Sequence, residues 1–443
     1  MKPLSIAVVG SGIAGLSAAW LLSKTHDVTV LEAQAHAGGH ANTIEFEDSD
    51  ARHPVDTGFI VYNPPNYPNL VALFNHLKVP TEPSRMTFAF SAGGGAYEYS
   101  GTRLSGLFGQ VRNVANPDHW KMLFDLMRFF RNVERTAHDI PETMTLGELL
   151  RAGGYGRSFI ENHLLPMASA IWSSPAQGME NYPAKSFVRF FANHGLLQAR
   201  KRPAWRTVAG GSRQYVKRLI EDGDFRIELN CAVKSIKRRP GNVVIEDGNG
   251  VLRMFDHVVL ATHADQALSL LEQPGTDETA LLGKFAYCDN LAVVHTDARQ
   301  MPRRRHLWSS WNYVSKLGGS DAPTISYWMN SLQNLPSHKD VFVTLNPSTP
   351  IAPLAEIARF NYTHPMYSAS ALHAQNVLWN LQGRARTWFC GSYFGAGFHE
   401  DALQSGLAVA EQLGGQKRPW RVENPSGRIV ATRDIAQRGM AAE

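Results

Sequence analysis

The stretch Ile6-Ala7-Val8-Val9-Gly10-Ser11-Gly12-Ile13-Ala14-Gly15 decides how the rest of the chain is read. A short apolar run of strand type meets a glycine turn at once. A helical pattern then runs to near Lys24, and a second strand, Asp27 to Leu31, closes on Glu32. Strand, glycine turn, helix, strand and acid in that order form the dinucleotide-binding fingerprint. Gly10 permits the tight turn, Gly12 lets a diphosphate approach the backbone, and Gly15 lets the helix settle close against the strands. The helix start, with Ile13 and Ala14 in its first turn, offers free N–H groups and a partial positive charge to that diphosphate. Glu32 stands seventeen residues beyond Gly15. Its carboxylate there accepts from ribose hydroxyls and repels a 2′-phosphate, which disfavours NADP.

At 443 residues, 44% hydrophobic and 19% charged, the chain has the composition of a globular protein with two or three domains. No run approaches the ~18 apolar residues of a membrane span. The first apolar segment already carries the glycine loop, so it is not a signal peptide. Three cysteines, Cys231, Cys288 and Cys390, include no C-x-x-C pair, which predicts no disulfide framework and no metal site. A cytoplasmic location follows, extended to the inner face of the membrane if the basic surface meets anionic lipid. The formal charge is +5, with clusters at Arg200-Lys201-Arg202, Lys237-Arg238-Arg239 and Arg303-Arg304-Arg305. These read as solvated loops, with attraction to lipid phosphate as the alternative. No nucleic-acid motif accompanies them, so nucleic acid is not an expected partner.

Along the chain, Val55-Asp56-Thr57-Gly58-Phe59-Ile60-Val61 places a glycine inside an apolar run, the mark of backbone close to another body. Asn69 to Leu77 has helical spacing. Met86 to Phe90 and Tyr97 to Tyr99 alternate around Gly93-Gly94-Gly95 and predict a hairpin, a departure from a sheet built by helical crossovers. His119 to Arg135 is a helix with a wide apolar face, either packed or turned toward acyl chains. Thr145 and Glu148 form a capping box for a helix that ends at Gly153-Gly154. Helical, Phe-rich segments continue to about residue 200, with Pro166 interrupting one of them and Trp172-Ser173-Ser174-Pro175 following it. A helix to Ile220 leads into short strands at 226–229, 232–238, 243–246 and 251–261, the last buried on both faces at Val258 to Thr262. Strands recur at 291–295, 324–329 and 341–345, carrying or flanked by Trp308, Trp311, Tyr313, Tyr327 and Trp328, which either fill a core or wall an apolar pocket. Residues 350–374 read as helix and loop. A strand ending at Gly391 delivers the loop Ser392 to Glu400 to a final helix, with Asp401 as its cap and Gln404 in the reciprocal position. Beyond Gly415, Lys417, Arg418, Arg421, Arg428, Arg433 and Arg438 show no periodicity and suggest a disordered or surface-attached tail.

Leu31-Glu32-Ala33 followed by Gly38-Gly39 is similar to the flavoprotein pattern, in which the second glycine turn accommodates a longer dinucleotide, with His40 standing where that pattern usually has arginine. With the C-terminal strand, glycine loop and helix, the chain resembles the superfamily of flavin-containing amine oxidases, protoporphyrinogen oxidases and phytoene desaturases. Asp56-Thr57-Gly58-Phe59, Asn193-His194-Gly195-Leu196, Trp205-Arg206-Thr207-Val208 with Gly210-Gly211-Ser212, and Gly397-Phe398-His399-Glu400-Asp401 resemble the bacterial FAD proteins that accompany cyclopropane fatty-acid synthase-like enzymes. They also resemble the oxidase domain fused to the plant synthases. The resemblance implies an α/β fold, a Rossmann-like FAD-binding domain with an interleaved α+β substrate domain, as in amine oxidases and glutathione reductase-like proteins. The expected divisions are 1–85, 203–287 and 385–415 for FAD, 86–202 and 288–384 for substrate, and 416–443 as the basic tail.

Expected FAD contacts are Gly10, Gly12, Ile13, Ala14, Gly15, Glu32, Ala33, Gly38, Gly39, His40, Thr57, Gly58, Phe59, Val233, Ala261, Thr262, Gly391, Gly397, Phe398, His399, Asp401, Ala402 and Leu403. Some amine oxidases hold flavin through a cysteine. Cys390 falls where the family has a small residue, so non-covalent FAD is expected. The implied activity is hydride abstraction from an apolar substrate, a modified fatty acyl chain held in lipid, with oxygen, a quinone or a protein as electron acceptor. An amine oxidase of a soluble amine, with Tyr327 and Trp328 near the substrate, is the first alternative. A non-catalytic flavin-binding partner of a lipid methyltransferase is the second. His399 and Tyr393 are the catalytic candidates beside the flavin, with His194 behind them.

Overall fold

The computed structural model describes residues 2–48, 51–101, 103–136, 138–172, 176–197, 203–315 and 324–431. The glycine motif does what its residues dictate. Strand Ser5–Val9 enters helix Ile13–Leu22 through Gly10, whose φ of 99° only glycine adopts without strain. All ten residues of that helix are buried, because it lies between a sheet and the last helix of the chain. The sheet is parallel and five-stranded, in the order Thr387–Phe389, His257–Leu260, Ser5–Val9, Asp27–Leu31 and Arg226–Glu228. Its strands thus come from both ends of the polypeptide. The C-terminal helix His399–Leu413 crosses the glycine-loop helix at Gly406, where a Cβ would stand 2.2 Å from the Ala14 carbonyl and 2.4 Å from Ser17 Oγ.

A three-stranded antiparallel sheet, Val233–Arg239, Asn242–Asp247 and Leu252–Phe255, branches from the parallel one. The continuous strand expected over 251–261 is therefore two. The break is Asp256, which bonds Ser5 twice: its N–H donates to the Ser5 carbonyl and its carboxylate accepts from Ser5 N. Chain direction switches there from one sheet to the other.

A seven-stranded sheet forms the second layer, in the order Glu356–Met366, Ala286–His295, Phe342–Leu345, Thr324–Trp328, Trp311–Ser315, Phe88–Ala92 and Tyr97–Ser100. It is antiparallel except where Trp311–Ser315 runs parallel to Phe88–Ala92. The expected hairpin forms its far edge. Its opposite edge corrects the reading of 350–374 as helix and loop, since Glu356–Met366 is an eleven-residue strand. Pro365 is admissible because an edge strand has one side without ladder partners.

Register also divides the aromatic set expected either to fill a core or to wall a pocket. Trp311 pairs with Tyr327 and Phe88, and Tyr313 with Phe90, on one face; Trp328 pairs with Phe342 on the other, where both meet Trp308. Helices Pro117–Thr136, Leu146–Ala152 and Ala184–Asn193 form where predicted, the second with its Thr145–Glu148 capping box. Ahead of Pro166 the helix widens into a π turn, Ile160–Leu164. That absorbs a residue with no N–H to give. Ser173-Ser174-Pro175, Arg200-Lys201-Arg202, Arg433 and Arg438 lie outside the described residues. No helix among the described residues is long and apolar enough to cross a membrane.

Two expectations about surface charge are corrected. Arg238 reaches Glu278, and Arg304 reaches the fully buried Glu98, so these clusters are partly structural. The tail is not loose as far as Ala431. Arg418 is buried against Glu411 and Asn69, and Arg428 binds Asp401.

Candidate cofactor and active site

Four glycines define a cradle. A Cβ on Gly10 would reach 3.0 Å from the Ala261 carbonyl, on Gly15 2.0 Å from that of Gly10, and on Gly39 3.2 Å from Gly12 Cα. On Gly12 it would meet nothing within 4 Å. Three glycines are thus required by protein neighbours, while Gly12 leaves open space at a helix N-terminus, the place where a diphosphate can approach. Gly38 donates to the Ser11 carbonyl and brings the second glycine turn to the first. Glu32 is buried at the end of its strand and accepts from Ser11 N, Ser11 Oγ and Gln34 N. Its backbone carbonyl accepts from Cys231 N, two residues before Val233. Ala33 is exposed just beyond it. Ala261 and Thr262 lie against Gly10, and the Thr262 carbonyl would be 3.4 Å from a Cβ on Gly391. Front and back halves of the site therefore touch.

Loop Gly391 to Gly397 is held from three sides. Ser405 Oγ bonds both the N–H and the carbonyl of Gly391; Gln375 Nε2 donates to the carbonyls of Tyr393 and Gly395; and Gly397, at φ 93°, lies against the Tyr367 hydroxyl. The helix then starts with Phe398 as its N-cap. Asp401 sits at the third helical position and accepts from Phe398 N at 2.8 Å, so it is the reciprocal partner and not the cap itself. Gln404, expected in that role, donates instead to Glu400. Ala402 and Leu403 are buried in the first turns. Glu400 accepts from Asn69 N and Nδ2, from Leu70 N and from Gln404 Nε2, while burial pushes its carboxyl up.

Around this helix start stand aromatic rings and neutral histidines. Phe190 stacks on Phe398 at 4.7 Å, and Trp172 meets it edge-on at 6.3 Å. His399 stacks on Phe59 at 3.9 Å and its Nε2 lies 2.6 Å from the Tyr215 hydroxyl. Thr57 Oγ1 meets the Tyr362 hydroxyl at 2.5 Å, Phe59 N donates to the His40 carbonyl, and a Cβ on Gly58 would strike that same carbonyl. The His40 ring lies over Tyr362 at 5.0 Å and near His364 at 5.6 Å. His194 stacks on Phe190 at 3.9 Å, 6.0 Å from Phe398. Its Nδ1 is 2.9 Å from the Phe190 carbonyl, which can only accept, so Nδ1 carries the proton and the buried, unpartnered Nε2 presents a lone pair. Tyr393, by contrast, packs on Phe285 and Phe394 with its hydroxyl buried and unbonded.

Burial dominates the titration of these groups. It drives His40 and His399 down to about 3, and His194 and His364 to about 4. An unfolded histidine protonates near 6.5. The unfolded chain therefore binds more protons as pH falls from about 6.5 toward 3, and stability present above that window is lost within it. Urea unfolding of the apoprotein should show this loss, several kcal/mol in all. His194→Phe should reduce the slope by up to one proton. A flat profile would refute the neutral cluster.

Tyr215, Asn69, Tyr362, His364 and Arg428 were not among the residues expected from sequence. The Phe187, Phe190, Phe191 and His194 set did carry a signal, its spacing being that of one helical face. Among the described residues, no group of His, Cys, Asp or Glu could hold a metal ion.

Residues 13–349 match the family of flavin containing amine oxidoreductases. The "Putative flavin-containing monoamine oxidase AofH" of Mycobacterium tuberculosis is 26% identical over 262 residues, 56% of this chain and 54% of that one. The chain thus spans about half the length of the curated relatives it matches. Among solved structures, the CLA-producing fatty acid isomerase of P. acnes superposes with a TM-score of 0.65 at 15% identity, covering 93% of this chain and 98% of that one. The "Putative protoporphyrinogen oxidase" of Exiguobacterium sp. 255-15 does so at 0.67 and 16%, covering 93% and 99%. The fold and the site define a flavin-binding α/β protein. The chain belongs to the flavin containing amine oxidoreductase family, whose cofactor is FAD.

Proposed function

We propose that this chain is an FAD-dependent oxidoreductase that removes hydrogen from an apolar substrate, a fatty acyl chain in lipid. One observation carries the substrate class. The titratable groups flanking Phe398 are neutral histidines, or carboxylates already committed: Asp401 to Arg428, and Glu400 to Asn69, Leu70 and Gln404. An ammonium substrate would want a carboxylate to spare, whereas a hydrocarbon wants a dry aromatic wall, which Trp172, Phe190 and Phe398 supply. When bound, FAD supplies the two-electron acceptor for hydride. Gly10, Gly12, Gly15, Glu32 and Gly39 would hold its dinucleotide part, and the Gly391–Leu403 segment, with Phe59 and Thr57, its redox end. Loss of two hydrogens also releases a proton, and the lone pair of His194 Nε2 is available to take it. His399 acts by position, locked between Phe59 and Tyr215. Oxygen, a quinone or a protein partner would collect the electrons. The fold shared with a fatty acid isomerase supports this reading; the similarity to a monoamine oxidase supports its rival.

The test is anaerobic bleaching of the holoprotein by phospholipid extract, followed by mass analysis for loss of two hydrogens. Bleaching by a panel of soluble amines, with ammonia and peroxide formed in air, would replace the lipid reading by the amine one. Bleaching by neither, with stable binding of a methyltransferase, would favour the non-catalytic alternative. In the same preparation, acid precipitation should leave the yellow colour in the supernatant, because Cys390 is fully buried and burial pushes its thiol up, away from the reactive thiolate. Colour retained in the pellet would mean covalent attachment.

A further inference from the structure

Twelve large apolar side chains stand exposed among the described residues, and six of them, Leu104, Val111, Val114, Trp120, Phe124 and Met127, fall within one stretch of 24 residues. The exposure is high, 78% at Leu104, 82% at Val111 and 69% at Phe124. Helix Pro117–Thr136 has two apolar faces. Met122, Phe129 and Val133 are buried and fasten it to the body; Trp120, Phe124 and Met127, spaced i, i+4 and i+7, point away. The two short helical turns before it, Leu104–Leu107 and Val111–Ala115, join this outer face. Trp120 Nε1 donates to the Val114 carbonyl at 2.9 Å, and its ring lies 5.0 Å from Phe108.

Cations border the patch. Arg103 and Arg112 are exposed beside it, Lys121 is exposed too but paired with Asp118 at 3.2 Å, and Arg131 continues the Trp120, Phe124, Met127 stripe one turn on. Apolar side chains with an aromatic at the rim and basic residues around them are the pattern of a helix that lies in a lipid interface. A second copy of this chain fits less well, because a two-fold contact would set arginine against arginine. We propose that this face docks the protein on an anionic phospholipid bilayer, with Phe124, Met127 and Val111 entering the acyl boundary and the arginines on the headgroups. Docking does not rest on the substrate reading, since it is measured without turnover.

Co-sedimentation of the full-length holoprotein with vesicles of phosphatidylcholine, with and without about one-third phosphatidylglycerol, tests it. Binding to the anionic vesicles is expected, falling as salt rises. Phe124→Glu should weaken it roughly tenfold or more, and Arg112→Ala about fivefold. Flavin content should be unchanged in both. Should Phe124→Glu not fold, the pair Trp120→Gln and Met127→Gln should lose binding in its place. Absence of vesicle binding, or variants that bind as tightly as the parent, would overturn docking. So would a dimer in sedimentation velocity that Phe124→Glu disperses while vesicles are ignored. If docking fails but detergent-dispersed lipid still bleaches the flavin, the substrate reading survives alone.

Discussion

Gly12→Ala should cost the apoprotein no more than about 1 kcal/mol and loosen its hold on flavin far more. Gly12 caps the glycine-loop helix at φ −63° and ψ 174°, a conformation open to any residue. A methyl group there meets no protein atom within 4 Å, so the apoprotein bears only the poorer N-cap, about 1 kcal/mol. The only body left to object is the ligand. Forcing a methyl into a close contact costs about 1 to 3 kcal/mol, or about fivefold to 150-fold in affinity. Gly15→Ala, three residues on, should fail for the opposite reason. Its Cβ would lie 2.0 Å from the Gly10 carbonyl and 3.0 Å from Ala261 Cβ, so loop and helix must part before any flavin arrives. Flavin titration beside urea unfolding separates the two. Equal loss of stability in both variants would mean that Gly12 serves the fold and not the cofactor.

This contrast also marks what the amino-acid sequence could convey. Glycines at Gly10, Gly12 and Gly15 encode backbone geometry locally, and a local code is legible without knowing the neighbours. The parallel sheet followed from the order of strands and helices for the same reason. Strand Glu356–Met366 was hidden because Pro353 precedes it and Pro365 lies within it, and both lose their breaking force at an edge whose other side pairs with Ala286–His295. The cap of the last helix was misread because Asp401 has the chemistry of an N-cap. Its position is decided elsewhere: a Cβ on Gly395 would fall 2.6 Å from Asp401 Oδ1, and Arg428 binds both carboxylate oxygens. Long-range partners of this kind leave no trace in spacing. His399 was a candidate for proton transfer on adjacency alone. Contact with Phe59 and Tyr215, residues 340 and 184 positions away, makes it a packed and neutral ring.

Arg428→Met should be the most damaging single change outside the glycine loop. Arg428 Nε donates to Asp401 Oδ1 at 2.6 Å and its Nη2 to Oδ2 at 3.1 Å, while Nη1 donates to the Asn66 carbonyl at 2.9 Å. Asp401 is fully buried. Removing one partner of a buried ion pair leaves the other charge without compensation, at a cost of about 3 to 5 kcal/mol. Consequences should reach the cofactor, because the same carboxylate accepts from Phe398 N and sets the first turn of the final helix. Weaker FAD retention should therefore accompany the lower urea midpoint. Arg428→Met combined with Asp401→Asn should recover most of the stability, since asparagine keeps an acceptor for Phe398 N and removes the stranded charge. Arg421→Met, at an exposed position of the same segment, is the control. If Arg428→Met behaved like that control, the segment after Gly415 would be an ornament on the fold. If it behaves as the geometry requires, residues 416–431 clamp the redox end of the site, and the helix start holds its shape only while they are in place.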